Sequence, residues 1–321
     1  MKKKIKTAVI GIGGMGLNHC RILNDISEVV GVCDLDKSKL ENAKSSLGVR
    51  TFLNLSELLK VTRPDGVVVA VNTEHHLQVG SDVIKRGFPL LIEKPLAGNF
   101  KDALKLCTIA KRKNIFLMVG MVERYNPVIM KLHQDINTGV FGDVYQIVSL
   151  RVGIEPPKMK DRNVLLDLAV HDIDILSFLL KANPLGVSHV GNAYVKGSNI
   201  DASQMILSFK KTSAVIITNW LSPIKIRKMY VFGSKKSAEL DLREQFVTYF
   251  SKIPKKAIDK SDYFNSFSSL EAFASPQSVK KNEPLRSELI EFTKNVTNGY
   301  NGKFCEGAAS AIRIIEQSKK I

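Results

Sequence analysis

Along the first 120 residues, short β-rich apolar runs alternate with stretches whose apolar residues recur at helical spacing. The runs are KTAVIGI (6–12), EVVGVCD (28–34), GVVVAV (66–71), PLLIEK (89–94) and FLMVG (116–120). Amphipathic stretches near 15–25, 37–47, 55–60, 76–86 and 100–113 lie between them. That alternation predicts a parallel, doubly wound sheet. From about residue 145 the texture changes. A helix built on LLDLAVHDIDILSFLL (165–180) is followed by YVKG, SQMILSFK, SAVIITNWL, KMYVFGS, SAELDL and QFVTYF at hairpin-like spacing. These predict an antiparallel sheet. Helical patterns near 285–297 and 306–319 close the chain, and residues 251–280 carry the weakest signal. The expected fold class is α/β, with a first domain over 1–122 and a second α/β domain, carrying a large and mainly antiparallel sheet, over 123–321.

One stretch breaks the apolar pattern. Residues 165–174 read LLDLAVHDID, a run suited to a buried helix into which Asp167, His171, Asp172 and Asp174 have been set. Residues four apart share a helix face, so Asp167 lies one turn from His171, with Asp174 a turn later. Taken alone, this is a solvated face or a core histidine satisfied by an acid. A functional reading requires a cofactor and a second polar group aimed at the same place.

The bulk properties narrow the choices. At 321 residues and 44% hydrophobic, the chain has material for two domains with sizeable cores. No run approaches the roughly 18 apolar residues of a membrane span. The start, MKKKIKTAVIGIGG, resembles a charged leader. Its apolar part is short and glycine-interrupted, so a first strand and a cytoplasmic protein are expected. Cys20, Cys33, Cys107 and Cys305 are scattered without C-x-x-C pairing, which argues against zinc or a disulfide framework, so no metal is expected. The net charge of +16 is spread as single lysines and short clusters, a solubilising surface more than a nucleic-acid stripe. A phosphate-bearing small molecule would suit it.

The cofactor is the clearest reading. The first strand runs into GIGGMG, placing Gly11, Gly13 and Gly16 in G-x-G-x-x-G spacing, with Gly14 and Met15 in the same turn. Strand before and helix after make this a Rossmann dinucleotide fingerprint. Gly11 permits the tight turn, Gly13 lets backbone approach a pyrophosphate, and Gly16 allows close helix–strand packing. Asp34 ends the second strand, 18 residues beyond Gly16, where a carboxylate binds both ribose hydroxyls. An acid there repels the 2′-phosphate of NADP, so NAD is favoured. Asp36 suits the cap of the next helix.

The fourth apolar run ends in Glu93-Lys94-Pro95, within PLLIEKPLAGN. This tripeptide downstream of the fingerprint, the D-x-x-x-H of Asp167 and His171, and the ending EPLRSELIEF…GAASAIRIIE resemble the glucose–fructose oxidoreductase/inositol dehydrogenase family (Gfo/Idh/MocA) over nearly the whole chain. The resemblance implies a C-terminal domain whose open sheet serves a homodimer or homotetramer. It also implies hydride transfer between NAD(P) and a hydroxyl or carbonyl carbon of a sugar or cyclitol. His171 would then be the acid/base, Asp167 would orient substrate or imidazole, and Lys94 would stabilise a developing alkoxide. Lys94-Pro95 would be cis. Glu93, Lys94 and Asn72 would border the cofactor, His76 would be structural and His19 would pack near the cofactor, neither histidine taking part in the chemistry.

VERYNPVI (122–129) and RVGIEPPKMKDRNVLLDLAVHDID (151–174) look like the UDP-N-acetylhexosamine 3-dehydrogenases, including those acting on the uronic acid. This implicates Arg124, Tyr125 and Asn126 in the substrate pocket, though RYNP also reads as a domain-crossing turn ended by Pro127. Lys158, Lys160 and Arg162, in a loop before the helix, are candidates for a substrate diphosphate. The chain departs from the family where a Thr-Pro or Pro-Thr is replaced by Asn72-Thr73. Alternatives are a dehydrogenase of free sugar or inositol, and a non-catalytic NAD-sensing regulatory member. A nucleic-acid partner ranks last.

Overall fold

A computed structural model describes residues 4–154, 163–195, 199–252, 273–299 and 305–318. Two compact units emerge, Met1–Val122 with Glu283–Glu316, and Glu123–Asn282 with Gln317–Ile321. No helix among the described residues is long and apolar enough to cross a membrane.

The first unit holds a six-stranded parallel sheet. In chain order its elements are β1 (Lys6–Ile10), α1 (Gly14–Ile26), β2 (Glu28–Cys33), α2 (Lys37–Leu47), β3 (Thr51–Phe52), α3 (Leu55–Thr62), β4 (Gly66–Val69), α4 (His76–Lys85), β5 (Leu90–Glu93), α5 (Phe100–Lys113) and β6 (Leu117–Gly120). The strand order is β3-β2-β1-β4-β5-β6, so the chain reverses direction across the sheet between β1 and β4. Ligands of open parallel sheets bind at that switch point, beyond the carboxyl ends of the strands. Strands β4, β5 and β6 are buried along their whole length, because helices cover both faces of a parallel sheet. Side-chain caps set the helix starts: Asp36 Oδ1 accepts from the Ser38 amide, Asn54 Oδ1 from Ser56 and Glu57, and Asn99 Oδ1 from Asp102. The two-residue β3 is too short to show an apolar run.

The C-terminal helices correct the expected domain division, which left them in the second domain. Helix α8 (Pro284–Thr297) and most of α9 (Cys305–Ser318) belong to the first unit. Packing explains it. Phe292 is fully buried, its ring stacked on Phe116 and set against Gly66, where an added Cβ would come within 3.0 Å. Arg286 pairs with Asp25 and Arg21 with Glu283. The Phe100 amide donates to Glu316 Oε1 at 2.8 Å.

The second unit adds α6 (Pro127–Asn137), β7 (Val144–Ile154), α7 (Val170–Leu180) and strands β8 (Gly186–Asn192), β9 (Ala202–Ser208), β10 (Ser213–Asn219), β11 (Leu221–Gly233), β12 (Lys236–Asp241), β13 (Phe246–Ser251) and β14 (Ala274–Gln277). The eight strands form one sheet in the order β14-β13-β12-β11-β7-β10-β9-β8. Every neighbouring pair is antiparallel except β7 with β10. Burial alternates residue by residue along β9 and β10, the signature of a sheet covered on one face. Long β7, at the centre, carries Ile147, Ser149 and Arg151 on its buried face.

Candidate active site

Beyond β1 the chain turns through Gly11 at a φ of +88°, and a Cβ there would sit 2.7 Å from the Ala70 and Val71 backbone. Gly16 is tighter still: a Cβ there would sit 1.8 Å from the Gly11 carbonyl. Gly13 and Gly14 differ. A Cβ at either would meet nothing within 4 Å, so their backbone fronts open space. Helix α1 begins there with no side-chain cap and no acid in its first turn, leaving its positive end available to an anion. Met15 is exposed on the same turn. These features fit a dinucleotide pyrophosphate.

Asp34 follows β2, half-buried. One carboxylate oxygen accepts the Ile12 amide at 2.7 Å and the other the Asp36 amide at 2.9 Å, so Asp34 also ties the glycine turn to the second strand. Its remaining lone pairs can accept ribose hydroxyls. Asp36 caps α2. Asn72 is exposed just past β4, and its carbonyl accepts the His75 amide at 2.9 Å.

At the end of β5, Glu93 is buried and accepts a 2.7 Å hydrogen bond from His19 Nε2 of helix α1, while its other oxygen accepts the Lys94 amide at 3.0 Å. Burial raises the Glu93 carboxyl's pKa, but the His19 bond and the charges of His19 and Lys94 outweigh it and hold it below the usual range. The Lys94–Pro95 peptide is cis, as the resemblance implies. His76 lies within 2.9 Å of the Pro95 carbonyl through Nδ1 and 3.0 Å of the Val71 carbonyl through Nε2, joining the loops after β4 and β5.

In the second unit, the helix bearing D-x-x-x-H departs from the α winding its pattern predicts. Leu165–Ala169 forms a π-turn, with the Val170 amide reaching the Leu165 carbonyl, before α7 begins. Such turns are rare and cluster at functional sites. All four polar residues of the run are buried. Asp172 accepts from Ser149 Oγ and Arg151 Nε, both at 2.8 Å, and Arg151 Nη1 reaches Glu123 at 2.6 Å. Burial works against the charges of Arg151 and Glu123, and their mutual attraction, with Asp172, wins: Arg151 is held protonated and Glu123 ionised, below the usual carboxylate range. Asp174 takes both arms of Arg124, at 2.7 and 2.6 Å. Asp167 accepts from Trp220 Nε1 at 3.3 Å. Two of the three acids are therefore arginine partners, a division the sequence spacing does not show.

The pocket residues implied by RYNP have structural work. Arg124 is clamped by Asp174 and lies 5.5 Å over the Phe178 ring. Asn126 caps α6 and donates to the Leu242 carbonyl at 2.8 Å, so Pro127 opens a helix instead of ending a turn. Tyr125 is half-buried. Lys158, Lys160 and Arg162 lie outside the described residues. Glu123, Arg151 and Trp220 were not singled out from the sequence. Each meets its partner at a sequence separation of 21 to 53 positions, between elements whose pairing no short motif encodes.

Two family models match the chain. One, described as an oxidoreductase family with an NAD-binding Rossmann fold, covers residues 5–121, and the other, the GFO/IDH/MocA C-terminal domain, covers residues 129–239. Among curated proteins, UDP-N-acetylglucosamine 3-dehydrogenase of Acidithiobacillus ferrooxidans is 27% identical over 237 residues, 74% of each chain. Myo-inositol 2-dehydrogenase of Thermotoga maritima is 24% identical over 72% of this chain and 73% of its own. A solved structure of the Acidithiobacillus protein shares the fold at a TM-score of 0.83 and 23% identity, over 98% of this chain and 96% of that one.

Proposed function

Because the chain belongs to the GFO/IDH/MocA oxidoreductase family and carries its NAD-binding Rossmann fold, we propose that it oxidises a sugar ring CH–OH, at C3 of a UDP-N-acetylhexosamine or its uronic acid. The observation that carries this reading is the division of labour on the π-turn helix. Asp172 pairs with buried Arg151 and Asp174 with half-buried Arg124, while Asp167 and His171 keep the motif of the reacting residues. The similarity to a UDP-N-acetylglucosamine 3-dehydrogenase supports this substrate class.

Bound NAD supplies the hydride acceptor. His171 takes the proton of the substrate hydroxyl as the carbon–oxygen bond becomes a carbonyl, work suited to an imidazole near neutral pH. The Lys94 ammonium stabilises charge developing on that oxygen. Asp167 orients the ring or the imidazole, with Trp220 steadying its carboxylate. Asp34 accepts the ribose hydroxyls, and the backbone at Gly13, Gly14 and Met15 receives the pyrophosphate, with Asn72 and Glu93 nearby in the same unit. Arg124, Tyr125 and Asn126 shape the sugar pocket, and Lys158, Lys160 and Arg162 meet the diphosphate. The open face of the eight-stranded sheet, where Val190, Ile206 and Phe232 are exposed, joins copies of the chain.

Incubation of the purified protein and NAD with UDP-N-acetylglucosamine, its uronate, UDP-N-acetylgalactosamine and myo-inositol tests the reading through absorbance of reduced nicotinamide. Turnover of a UDP-sugar is expected. Preferential turnover of myo-inositol instead selects the free-cyclitol reading, which the Thermotoga relative favours. Absence of turnover with any sugar, in a protein that still binds NAD, selects a regulatory role.

A further inference from the structure

Strands β7 and β11 run antiparallel through the centre of the second sheet, and their register sets Arg227 directly opposite Arg151. Like charges facing each other across a strand pair repel. The two guanidiniums are treated differently. Arg151 is enclosed between Asp172 and Glu123. Arg227 donates Nη1 to the carbonyls of Val152 at 2.6 Å and Ile226 at 2.8 Å, and among the described residues no carboxylate forms an ion pair with it. Backbone carbonyls orient a guanidinium but do not neutralise it.

The surroundings leave room for what would. The residue beside the fork is Gly153, and a Cβ built there would stand 3.9 Å from both Nη1 and Nη2 of Arg227 and 3.9 Å from the Cα of Lys225. Lys225 is exposed on the same strand, two residues before Arg227. The local field is crowded with positive charge. Burial and the charge of Arg151 push Arg227 down to about 10, and burial together with Arg227 and Arg243 lowers Lys225. Glu123 and Asp172 act on Arg227 in the opposite sense but are engaged by Arg151, and Arg243 has Glu244 at 3.5 Å. Asp167 is also within electrostatic reach of Arg227, which locates the cation pair in the neighbourhood of the D-x-x-x-H residues.

We infer that Arg227, with Lys225 beside it, is an anion subsite that binds a negatively charged group of the substrate and makes the protein prefer charged sugars over neutral ones. The inference rests on the sugar-dehydrogenase reading for the identity of the ligand. An arriving anion supplies the counter-charge the register denies, and the planar fork, held by two carbonyls, presents its other donors to a carboxylate or a phosphate. Both sources share this chemistry: the C6 carboxylate of a uronic acid and the diphosphate of a nucleotide sugar.

Calorimetric titration of the NAD-loaded full chain with UDP and, separately, with D-glucuronate distinguishes them, in the wild type and in Arg227→Gln, Arg227→Lys and Lys225→Met. Arg227→Gln is expected to weaken one of the two ligands about 10- to 100-fold, the range for a lost charge-assisted hydrogen bond. Arg227→Lys should recover part of it, Lys225→Met should weaken the same ligand less, and NAD affinity should be unchanged. Weakening confined to UDP identifies the diphosphate, and weakening confined to glucuronate identifies the ring carboxylate. Lys225 is exposed, so its variant keeps the test valid if Arg227→Gln folds poorly. The inference is overturned if neither ligand binds the wild type, or if Arg227→Gln and Lys225→Met bind both as the wild type does. It is also overturned if Arg227→Gln only lowers Tm, which would mean an internal acid is its partner. Arg227-dependent glucuronate binding without turnover of any sugar would sink the dehydrogenase reading and leave the subsite standing.

Discussion

Around the glycine turn of the first unit, recognition is written in backbone: two glycines buried where no Cβ fits, two more facing open space, and an uncapped helix end. Around α7 of the second unit the order comes from side-chain charge, with Arg151 buried and Arg124 clamped against helix acids. A dinucleotide presents the same phosphates to every Rossmann turn, so a fixed arrangement of amides suffices. Burying charged side chains, by contrast, requires that each charge be answered nearby.

The largest expected effect separates chemistry from binding. His171→Ala or Lys94→Met should lower kcat by about 10²–10⁴-fold while NAD affinity, read by fluorescence titration, stays near wild type. A parallel loss of NAD binding by either variant would show that its side chain holds the cofactor instead of acting on the reacting oxygen.

Next comes the charge network. Arg151→Met leaves buried Asp172 and part-buried Glu123 without their partner and should destabilise the protein by about 3–5 kcal/mol, visible as a lower Tm. Acid acts on the same network. The Glu123 carboxyl is held below its ordinary value of 4.5, so its contribution is complete above that pH and is lost as pH falls through the depressed value. Glu123→Gln should therefore flatten the acid limb of a Tm–pH profile, and an unchanged limb would place the sensitivity elsewhere.

A smaller effect probes the cofactor half. Asp34→Ala removes charged acceptors for the ribose and should weaken NAD by about 1.5–3 kcal/mol, narrowing its advantage over NADP. Tighter binding of NADP than NAD by the wild type would refute the assignment. The smallest concerns stability alone. Gly13→Ala meets no neighbour within 4 Å and has an ordinary extended backbone, so its Tm should move by no more than about 0.5 kcal/mol equivalent while NAD binding weakens. Gly16→Ala, with a Cβ 1.8 Å from a carbonyl, should instead fail to form the turn.

The same contrast governs what could be read in advance. Gly11, Gly13, Gly16 and Asp34 lie within one βαβ unit, where spacing in sequence is spacing in space. The alternation of buried strands and amphipathic helices was legible there for the same reason. Asp167, Asp172 and Asp174 were visible as misfits in an apolar helix. Their partners were not, because Trp220, Arg151 and Arg124 come from other elements whose register is set by the whole sheet. The π-turn was also hidden, since an apolar run gives the same residues to either winding. Helix α8 was placed in the wrong unit because amphipathic periodicity shows that a face is buried without saying against what. Contacts such as Phe292 against Gly66 and Phe116 decide that.

The short link between His19 and Glu93 has a consequence for anyone rebuilding this enzyme. His19 belongs to the helix that starts the cofactor turn, and Glu93 is the residue before Lys94, so one buried proton-sharing contact spans two segments separated by 74 positions. The turn and the residue before the lysine are thus tied together by one buried hydrogen bond. A graft that swaps the glycine turn for another scaffold's, to change nicotinamide preference, imports a new residue opposite Glu93 and disturbs the lysine by the same stroke. Transplanting the turn together with its strand-end carboxylate avoids that interference.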